Sequence, residues 1–263
     1  MSDTKKKIGK YEIISTLGKG AMGVVYKARD PVIDRLVAIK TQHLDIPDDQ
    51  NLRLNERFIT EARAAGRLNH PNIVGLYDFG QDGDCSYIVM ELASGYSLSE
   101  FVNRKRPISL DQIWDTILKI LDGLQYAHES NIIHRDIKPA NILRDESGSV
   151  KITDFGIAQV ETSNLTNTGL IIGTPRYMAP ERIKGEKGDQ RADIFACGVL
   201  LHELLTGQPA FQDANSASVI YKIISTELPP VSELCPECPK GMDAVIAKAV
   251  AKEPEERFLA ARD

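Results

Sequence analysis

Alternating apolar and polar positions mark the first ninety residues of the chain. Short runs of β-branched and aromatic residues are separated there by Gly, Pro and Asp, a pattern typical of antiparallel strands. The predicted strands cover residues 11–17, 24–28, 36–40, 73–78 and 87–92.

One helix is predicted within this strand-rich part, over residues 52–68, because its apolar residues follow helical spacing. Glu61 falls inside that apolar stripe. A buried acid is costly unless it is paired, so Glu61 is expected to have a cationic partner. A conflict of this kind between pattern and residue type tends to mark a functional site.

The pattern becomes mainly helical after residues 93–95. Ser109 and Gln112 form a capping box that predicts the start of a long helix. Residues 194–205 are apolar on nearly every side and end at Gly207, which predicts a buried helix.

Two lobes are therefore predicted, one strand-rich and one helix-rich. The N-terminal lobe is expected over residues 1–93 and the C-terminal lobe over residues 94–263. Residues 1–9, with lysines at positions 5–7, are interpreted as a disordered, solvated tail.

Composition narrows the class of protein but not its chemistry. The net charge of −5 argues against nucleic-acid binding, and no apolar run is long enough to span a bilayer. Four cysteines in 263 residues favour a reducing, cytoplasmic compartment over a disulfide scaffold. Cys235 and Cys238 form a single C-x-x-C, which fits half a zinc site, a redox pair or neither.

Gly18, Gly20 and Gly23 form a G-x-G-x-x-G motif. A dinucleotide-binding site needs a helix directly after these glycines, whereas residues 24–27 read as a strand. The motif thus indicates a strand-loop-strand flap that approaches phosphate oxygens, or a plain hairpin that needs glycine for its turn.

Lys40 ends an apolar strand, and Glu61 is the buried acid that lacks a partner. We expect the two to pair, either as a structural ion pair or as a pair from which the lysine reaches nucleotide phosphates.

The densest cluster of chemistry-bearing residues is His-Arg-Asp-Ile-Lys-Pro-Ala-Asn, at positions 134–141. A hairpin predicted just after it should place Asn141 beside Asp154, and two such oxygen ligands suit Mg²⁺. Asp136 could accept a proton from a hydroxyl, and Lys138 could neutralise a transferring phosphoryl group. A polar loop that only stabilises itself is the alternative.

Together these motifs resemble the eukaryotic-like, bacterial-type serine/threonine protein kinases over almost the whole chain. The order of the glycine loop, Lys40, Glu61, the 134–141 cluster, Asp154-Phe155-Gly156 and Ala179-Pro180-Glu181 is that of the family. The resemblance implies an α+β bilobal protein-kinase fold, with a small antiparallel β-sheet lobe carrying one key helix and a larger, mainly α-helical lobe. Its last helix would be cut short at residue 263.

The resemblance also assigns roles to individual residues. Lys40 and Glu61 would orient ATP, Asp136 would be the base with Lys138 beside it, and Asn141 and Asp154 would hold the metal. The residues expected to bind the nucleotide are Leu17, Gly18, Lys19, Gly20, Ala21, Met22, Gly23, Val24, Val25, Ala38, Lys40, Glu91, Ala93 and Leu143. Met90 would be the gatekeeper, Asp193 would brace the backbone at residues 134–135, and Glu181 would pair with Arg257.

Function and partners follow from the same resemblance. We expect ATP-dependent phosphorylation of protein serines and threonines, with Mg²⁺ or in its place Mn²⁺; the alternative is a silent pseudokinase scaffold. Thr166 and Thr168 are the expected activation phosphosites, although Gln159 removes one cation from their pocket. A homodimer through the N-terminal lobe, no membrane contact by this segment and a membrane anchor further along the protein are also expected.

Overall fold

The computed structural model describes residues 7–20, 23–43, 62–63, 65–83, 85–103, 105–155, 175–213 and 215–263. They belong to two compact units, Met1–Ser94 and Gly95–Asp263. The helix predicted over residues 52–68 falls mostly outside the described residues, as do Ala21, Met22, Glu61, Thr166 and Thr168.

The first unit is built on a six-stranded antiparallel sheet with the order β1-β2-β3-β4-β6-β5. Its strands are β1 (Lys7–Ile8), β2 (Tyr11–Gly20), β3 (Gly23–Asp30), β4 (Arg35–His43), β5 (Leu76–Asp82) and β6 (Cys85–Glu91). One face of this sheet is closed by a core cluster of Ile8, Tyr11, Ala28, Val37, Ile39, Tyr87 and Val89.

The interpretation of residues 1–9 as a tail is wrong for residues 7–9. Lys7–Ile8 pair with β2, and the Ile8 side chain is only 2% exposed. Gly9 makes the tight turn that permits this pairing, at a φ of 55°, where a Cβ would meet the hydroxyl of Tyr87 at 2.3 Å. Burial of the Ile8 side chain therefore orders residues 7–9, although the lysines at positions 5–7 suggested a solvated tail.

The predicted strands of this unit are otherwise found, with one shift. The strand expected over residues 73–78 begins at Leu76 and continues to Asp82. Gly75 lies before it, and its N–H donates to the side-chain carboxylate of Glu91 at 3.1 Å. The ladder therefore starts later than the apolar pattern suggested.

The second unit is mainly helical. Its helices are α1 (Leu98–Val102), α2 (Leu110–Glu129), α3 (Pro180–Ile183), α4 (Arg191–Thr206), α5 (Ser216–Ser225), α6 (Val231–Leu234) and α7 (Gly241–Ala249). Short 3-10 turns cover Pro139–Asn141, Pro175–Tyr177 and Pro254–Glu256. A small antiparallel sheet has the order β7 (Tyr96–Ser97), β8 (Ile142–Arg144) and β9 (Val150–Ile152).

Both helix predictions for this unit are confirmed. The side chain of Ser109 accepts from the Gln112 N–H, and the side chain of Gln112 accepts from the Ser109 N–H, which is the reciprocal capping box. Almost every residue of α4 is buried, and it ends at Gly207 in the left-handed conformation, with a φ of 63°. None of the helices among the described residues has the length and apolarity that crossing a bilayer requires.

Candidate active site

The hairpin of β8 and β9 fixes the backbone that carries Asn141 and Asp154, in the candidate site of the second unit. Its ladder pairs Ile142 with Ile152. One residue beyond each end, the Thr153 N–H donates to the Asn141 carbonyl at 2.8 Å. Asn141 and Asp154 therefore flank the same end of the hairpin, as the sequence predicted. Asp154 adopts a φ of 62°, which is uncommon for a residue with a side chain.

Asp136 is the centre of a compact polar cluster. The Lys138 ammonium lies 2.7 Å from the Asp136 Oδ2 atom. The Asn141 amide nitrogen donates to the same carboxylate oxygen at 2.9 Å and to the Asp136 backbone carbonyl at 2.8 Å. Asn141 is buried, whereas Asp136 and Lys138 are substantially exposed. A carboxylate held this way is oriented by the protein but open to a reactant.

The Asn141 and Asp154 side chains provide the kind of donor set that Mg²⁺ uses. The Asn141 amide nitrogen is committed to Asp136, so the amide oxygen is the atom that can act as a ligand. An amide oxygen and a carboxylate suit a hard cation whose coordination is completed by phosphates and water. The residues present therefore fit a divalent metal.

His134 holds the backbone of the cluster in place. Its Nδ1 atom accepts from the Asp136 N–H at 3.2 Å, which leaves Nε2 to carry the proton and donate to the Thr153 carbonyl at 2.8 Å. The imidazole also packs edge-on against Phe155, with ring centroids 4.6 Å apart. This single side chain ties Asp136 to the strand that leads to Asp154.

Asp193, in the first turn of α4, holds the backbone of the same loop through hydrogen bonds. Its two carboxylate oxygens accept the His134 N–H at 2.9 Å and the Arg135 N–H at 2.7 Å. The His128 ring nitrogen Nε2 lies 2.8 Å from the same carboxylate. The predicted bracing of residues 134–135 by Asp193 is confirmed. The contact set also includes His128, which sequence reasoning missed.

Arg182 is a second residue that the sequence did not point to. Its guanidinium donates to the Arg135 carbonyl at 2.7 Å. Burial, followed by the like charge of Arg135, lowers the pKa of Arg182, while Asp193 and Asp136 act in the opposite sense. Its place just after Ala-Pro-Glu was the only sequence signal, and that position does not reveal a contact 47 residues away.

Residues 175–181, which end in Ala-Pro-Glu, are anchored at two points. Tyr177 donates its hydroxyl to the Glu203 carboxylate, whose other oxygen accepts the Ala210 N–H at 2.9 Å. Burial raises the pKa of Tyr177, so the hydroxyl keeps its proton and remains the donor. Burial also raises the pKa of Glu203, while the hydrogen bond from Tyr177 acts in the opposite sense.

Glu181 supplies the second anchor through a buried ion pair. Two Arg257 nitrogens donate to its two carboxylate oxygens at 2.9 and 2.8 Å. The remaining donors of this guanidinium reach the carbonyls of Ala251, Lys252 and Arg191. The predicted Glu181–Arg257 pair is confirmed, and both charges are fully hydrogen-bonded where water is excluded.

In the first unit, the glycine motif lies at the paired ends of β2 and β3, as the strand pattern after the glycines predicted. The β2–β3 ladder continues to the tip of the hairpin, with the register Gly18↔Val25, Lys19↔Val24 and Gly20↔Gly23. No helix follows the glycines, which excludes a dinucleotide-binding turn of the Rossmann kind.

One face of this sheet collects several predicted nucleotide-binding residues. Val25 lies opposite Lys40, and Ala38 lies two residues before Lys40 on β4. Because side chains alternate along a strand, these three share one face. Met90 pairs with Ala38 and is 8% exposed on the same face, while Leu17 is 52% exposed. Leu143 belongs to the second unit, on β8.

Two of the expected nucleotide-binding residues lie where β6 ends: Glu91 is its last residue, and Ala93 lies two residues further on. The Glu91 N–H donates to the Gly75 carbonyl at 2.8 Å, and the Ala93 N–H donates to the Glu91 carbonyl at 3.1 Å. The Lys40–Glu61 pair stays a prediction, because Glu61 lies outside the described residues.

Comparisons with known proteins agree with this architecture. The family model described as "Protein kinase domain" matches residues 11–262. Serine/threonine-protein kinase PrkC of Bacillus subtilis is 38% identical over 260 residues, which are 98% of this chain and 40% of the relative. Serine/threonine-protein kinase PknB of Mycobacterium leprae is 37% identical over 260 residues, 97% of this chain and 42% of the relative.

A solved structure, the PknI kinase domain of Mycobacterium tuberculosis, is similar with a TM-score of 0.77 and 27% identity. The match covers 100% of this chain and 96% of the PknI chain. The chain spans about two fifths of the length of the curated relatives it matches. The predicted resemblance and the predicted α+β bilobal fold are confirmed.

Proposed function

Because this chain belongs to the protein kinase domain family, which uses ATP and a divalent metal, we propose that it transfers the γ-phosphoryl group of ATP to serine and threonine hydroxyls of proteins. The main support for the proposal comes from the side chains that contact Asp136. Its carboxylate is oriented by Lys138 and Asn141, yet it remains exposed to a substrate.

Asp136 is the proposed base. It accepts the proton of the incoming hydroxyl as the oxygen attacks the γ-phosphorus and the bond to the β-phosphate oxygen breaks, releasing ADP. The Lys138 ammonium contacts an oxygen of the same carboxylate and would neutralise charge on the transferring group. Mg²⁺, or Mn²⁺ in its place, would be held by Asn141 and Asp154 and would neutralise phosphate charge.

The first unit is the proposed holder of the nucleotide. Val25, Ala38 and Leu17 are the proposed apolar contacts of adenine in this unit. Lys40 lies on the same face as Val25 and would reach phosphate oxygens, with Glu61 as its expected partner. The backbone of the glycine flap would cover the phosphates, and the backbone of Glu91 and Ala93 would bind the adenine edge.

A silent pseudokinase scaffold is the alternative, and the retained chemistry argues against it. Lys40, Asp136, Asn141 and Asp154 all carry the side chains that transfer requires. Autophosphorylation of Thr166 and Thr168 is part of the proposal, since similar kinases are activated at such positions. A cytoplasmic location, pairing through the N-terminal lobe and a membrane anchor elsewhere in the protein are further expectations.

The test is incubation of the chain with γ-labelled ATP, Mg²⁺ and a basic protein substrate, followed by phosphoamino-acid analysis. Label on serine and threonine, and none on tyrosine, supports the proposal. A matched reaction in excess EDTA should give no label. Label on tyrosine at a comparable rate, or ATP turnover without protein labelling, would overturn the assigned substrate class.

A further inference from the structure

The C-x-x-C pair lies in the second unit, in the connection between α6 and α7. The Cys238 N–H donates to the Cys235 carbonyl at 2.9 Å, which folds the four residues into a turn. The two sulfur atoms lie 2.9 Å apart as a result. A disulfide joins sulfurs at about 2.05 Å, so closure requires an approach of only about 0.9 Å.

The two thiols differ in access. Cys235 is partly exposed, whereas Cys238 is only 5% exposed. Burial, with the neighbouring Cys235 sulfur as the next cause, raises the pKa of Cys238 to about 12. Cys235 is therefore the sulfur that a dissolved reagent meets first. Cys85 and Cys197 are buried in other parts of the chain and serve as internal controls.

A metal site fits this geometry less well. Tetrahedral zinc with Zn–S distances of about 2.3 Å holds two sulfurs about 3.8 Å apart and needs four ligands. Within the described ranges, no cluster of three or more His, Cys, Asp or Glu side chains could hold a metal ion. The observations favour dithiol chemistry over metal binding.

We propose that Cys235 and Cys238 are a reversible oxidation site, which a peroxide converts from a dithiol to a disulfide. In the first step the Cys235 sulfur attacks a peroxide oxygen, the O–O bond breaks, and a sulfenic acid and water form. In the second step the Cys238 sulfur attacks the Cys235 sulfur, its proton leaves with the hydroxyl group as water, and the S–S bond forms. Two electrons pass to each peroxide, and a dithiol reductant restores both thiols.

The experiment treats the folded chain with hydrogen peroxide, blocks the remaining thiols with iodoacetamide under denaturing conditions, and counts adducts by mass spectrometry. The reduced chain should take up four labels, one for each cysteine in the sequence. The oxidised chain should take up two labels. The peptide that holds Cys235 and Cys238 should then be lighter by about 2 Da, the mass of two hydrogens. Dithiothreitol should restore all four labels.

Two single variants assign the order of steps. Cys238→Ser should accumulate a sulfenic acid at Cys235 that dimedone traps, because the second thiol is missing. Cys235→Ser should stay unoxidised at the same peroxide dose. The proposal is overturned if the oxidised wild type keeps four reactive thiols, or if Cys235 goes to the sulfinic acid with Cys238 still free. One tightly bound zinc per chain that protects both thiols would also overturn it.

Discussion

The backbone N–H of Arg135 donates to the carboxylate of Asp193 at 2.7 Å, across 58 residues of sequence. Arg135 adopts a φ of 65°, a conformation that costs free energy for a residue with a side chain. The second oxygen of Asp193 accepts the His134 N–H, so the carboxylate holds both amides of the strained turn. This contact fixes the backbone directly before Asp136, the proposed base.

Replacing Asp193 with Asn should displace the loop, because the amide NH₂ would face one of the two backbone N–H donors. We expect a loss of about 2–4 kcal/mol in the free energy of unfolding, and at least a tenfold lower kcat. Denaturant unfolding and steady-state kinetics check this. Asp189→Asn is the control, since its ion pair with Arg191 is exposed and worth about 1 kcal/mol or less. Equal stability of the two variants would refute the bracing role.

Removing Arg257 should leave the buried Glu181 carboxylate without its partner. Arg257→Met is therefore expected to cost about 3–5 kcal/mol of unfolding free energy. The double variant Arg257→Met/Glu181→Leu should recover part of that loss, because both buried charges are gone. Lys184→Ala, which breaks an exposed pair with Glu253, should cost about 1 kcal/mol or less. A double variant no more stable than Arg257→Met would argue against this electrostatic account.

His202 should make the stability of the chain depend on pH. It is 2% exposed, and its Nε2 lies 3.1 Å from the Pro229 carbonyl, while burial lowers its pKa from the ordinary 6.5. As pH falls below 6.5, the unfolded chain binds a proton that the folded chain does not, so stability is lost. The wild type should lose up to about 1.4 kcal/mol more than His202→Gln between pH 7.5 and 5.5. Parallel pH profiles of unfolding free energy would show that His202 does not titrate this way.

The two threonines expected in the activation segment provide a fourth prediction. A phosphothreonine at Thr166 or Thr168 is expected to pair with the Arg135 guanidinium, a contact worth about 1.5–3 kcal/mol. The Thr166→Ala/Thr168→Ala variant should phosphorylate a peptide about ten- to a hundredfold more slowly. Phosphosite mapping after incubation with ATP accompanies the kinetics. Full activity in the double variant, or no phosphate on either threonine, would place activation elsewhere.

Local signals in the sequence were sufficient for many of these features. The Ser109 capping box, the helix end at Gly207 and the β8–β9 hairpin depend on residues that are close in sequence, so their chemistry can be read directly. The glycine flap was distinguished from a nucleotide-binding helix turn by the strand pattern that follows it. Asp193 and Arg257 were placed through the resemblance, which supplies tertiary contacts that local patterns do not contain.

Features that depend on contacts between residues far apart in the sequence could not be predicted from local patterns. Lys7 and Ile8 join the sheet because Ile8 enters a core made by distant strands, and the charge pattern around it gave no sign of this. The Arg182 contact with the Arg135 carbonyl and the approach of the two C-x-x-C sulfurs depend on how the chain folds back. Contacts of this kind become visible only in the folded structure.

Single-turnover phosphorylation by Asp136→Asn, measured beside ATP affinity, tests the central claim most directly. The variant keeps an oxygen and a similar shape at this exposed position but cannot act as a base. We expect ATP affinity within about threefold of the wild type and phosphoryl transfer slower by about 10²- to 10⁴-fold, the usual range for loss of a general base. Asp111→Asn, at an exposed position in α2, should leave both quantities unchanged. Near-normal transfer in Asp136→Asn would contradict the assignment of Asp136 as the base.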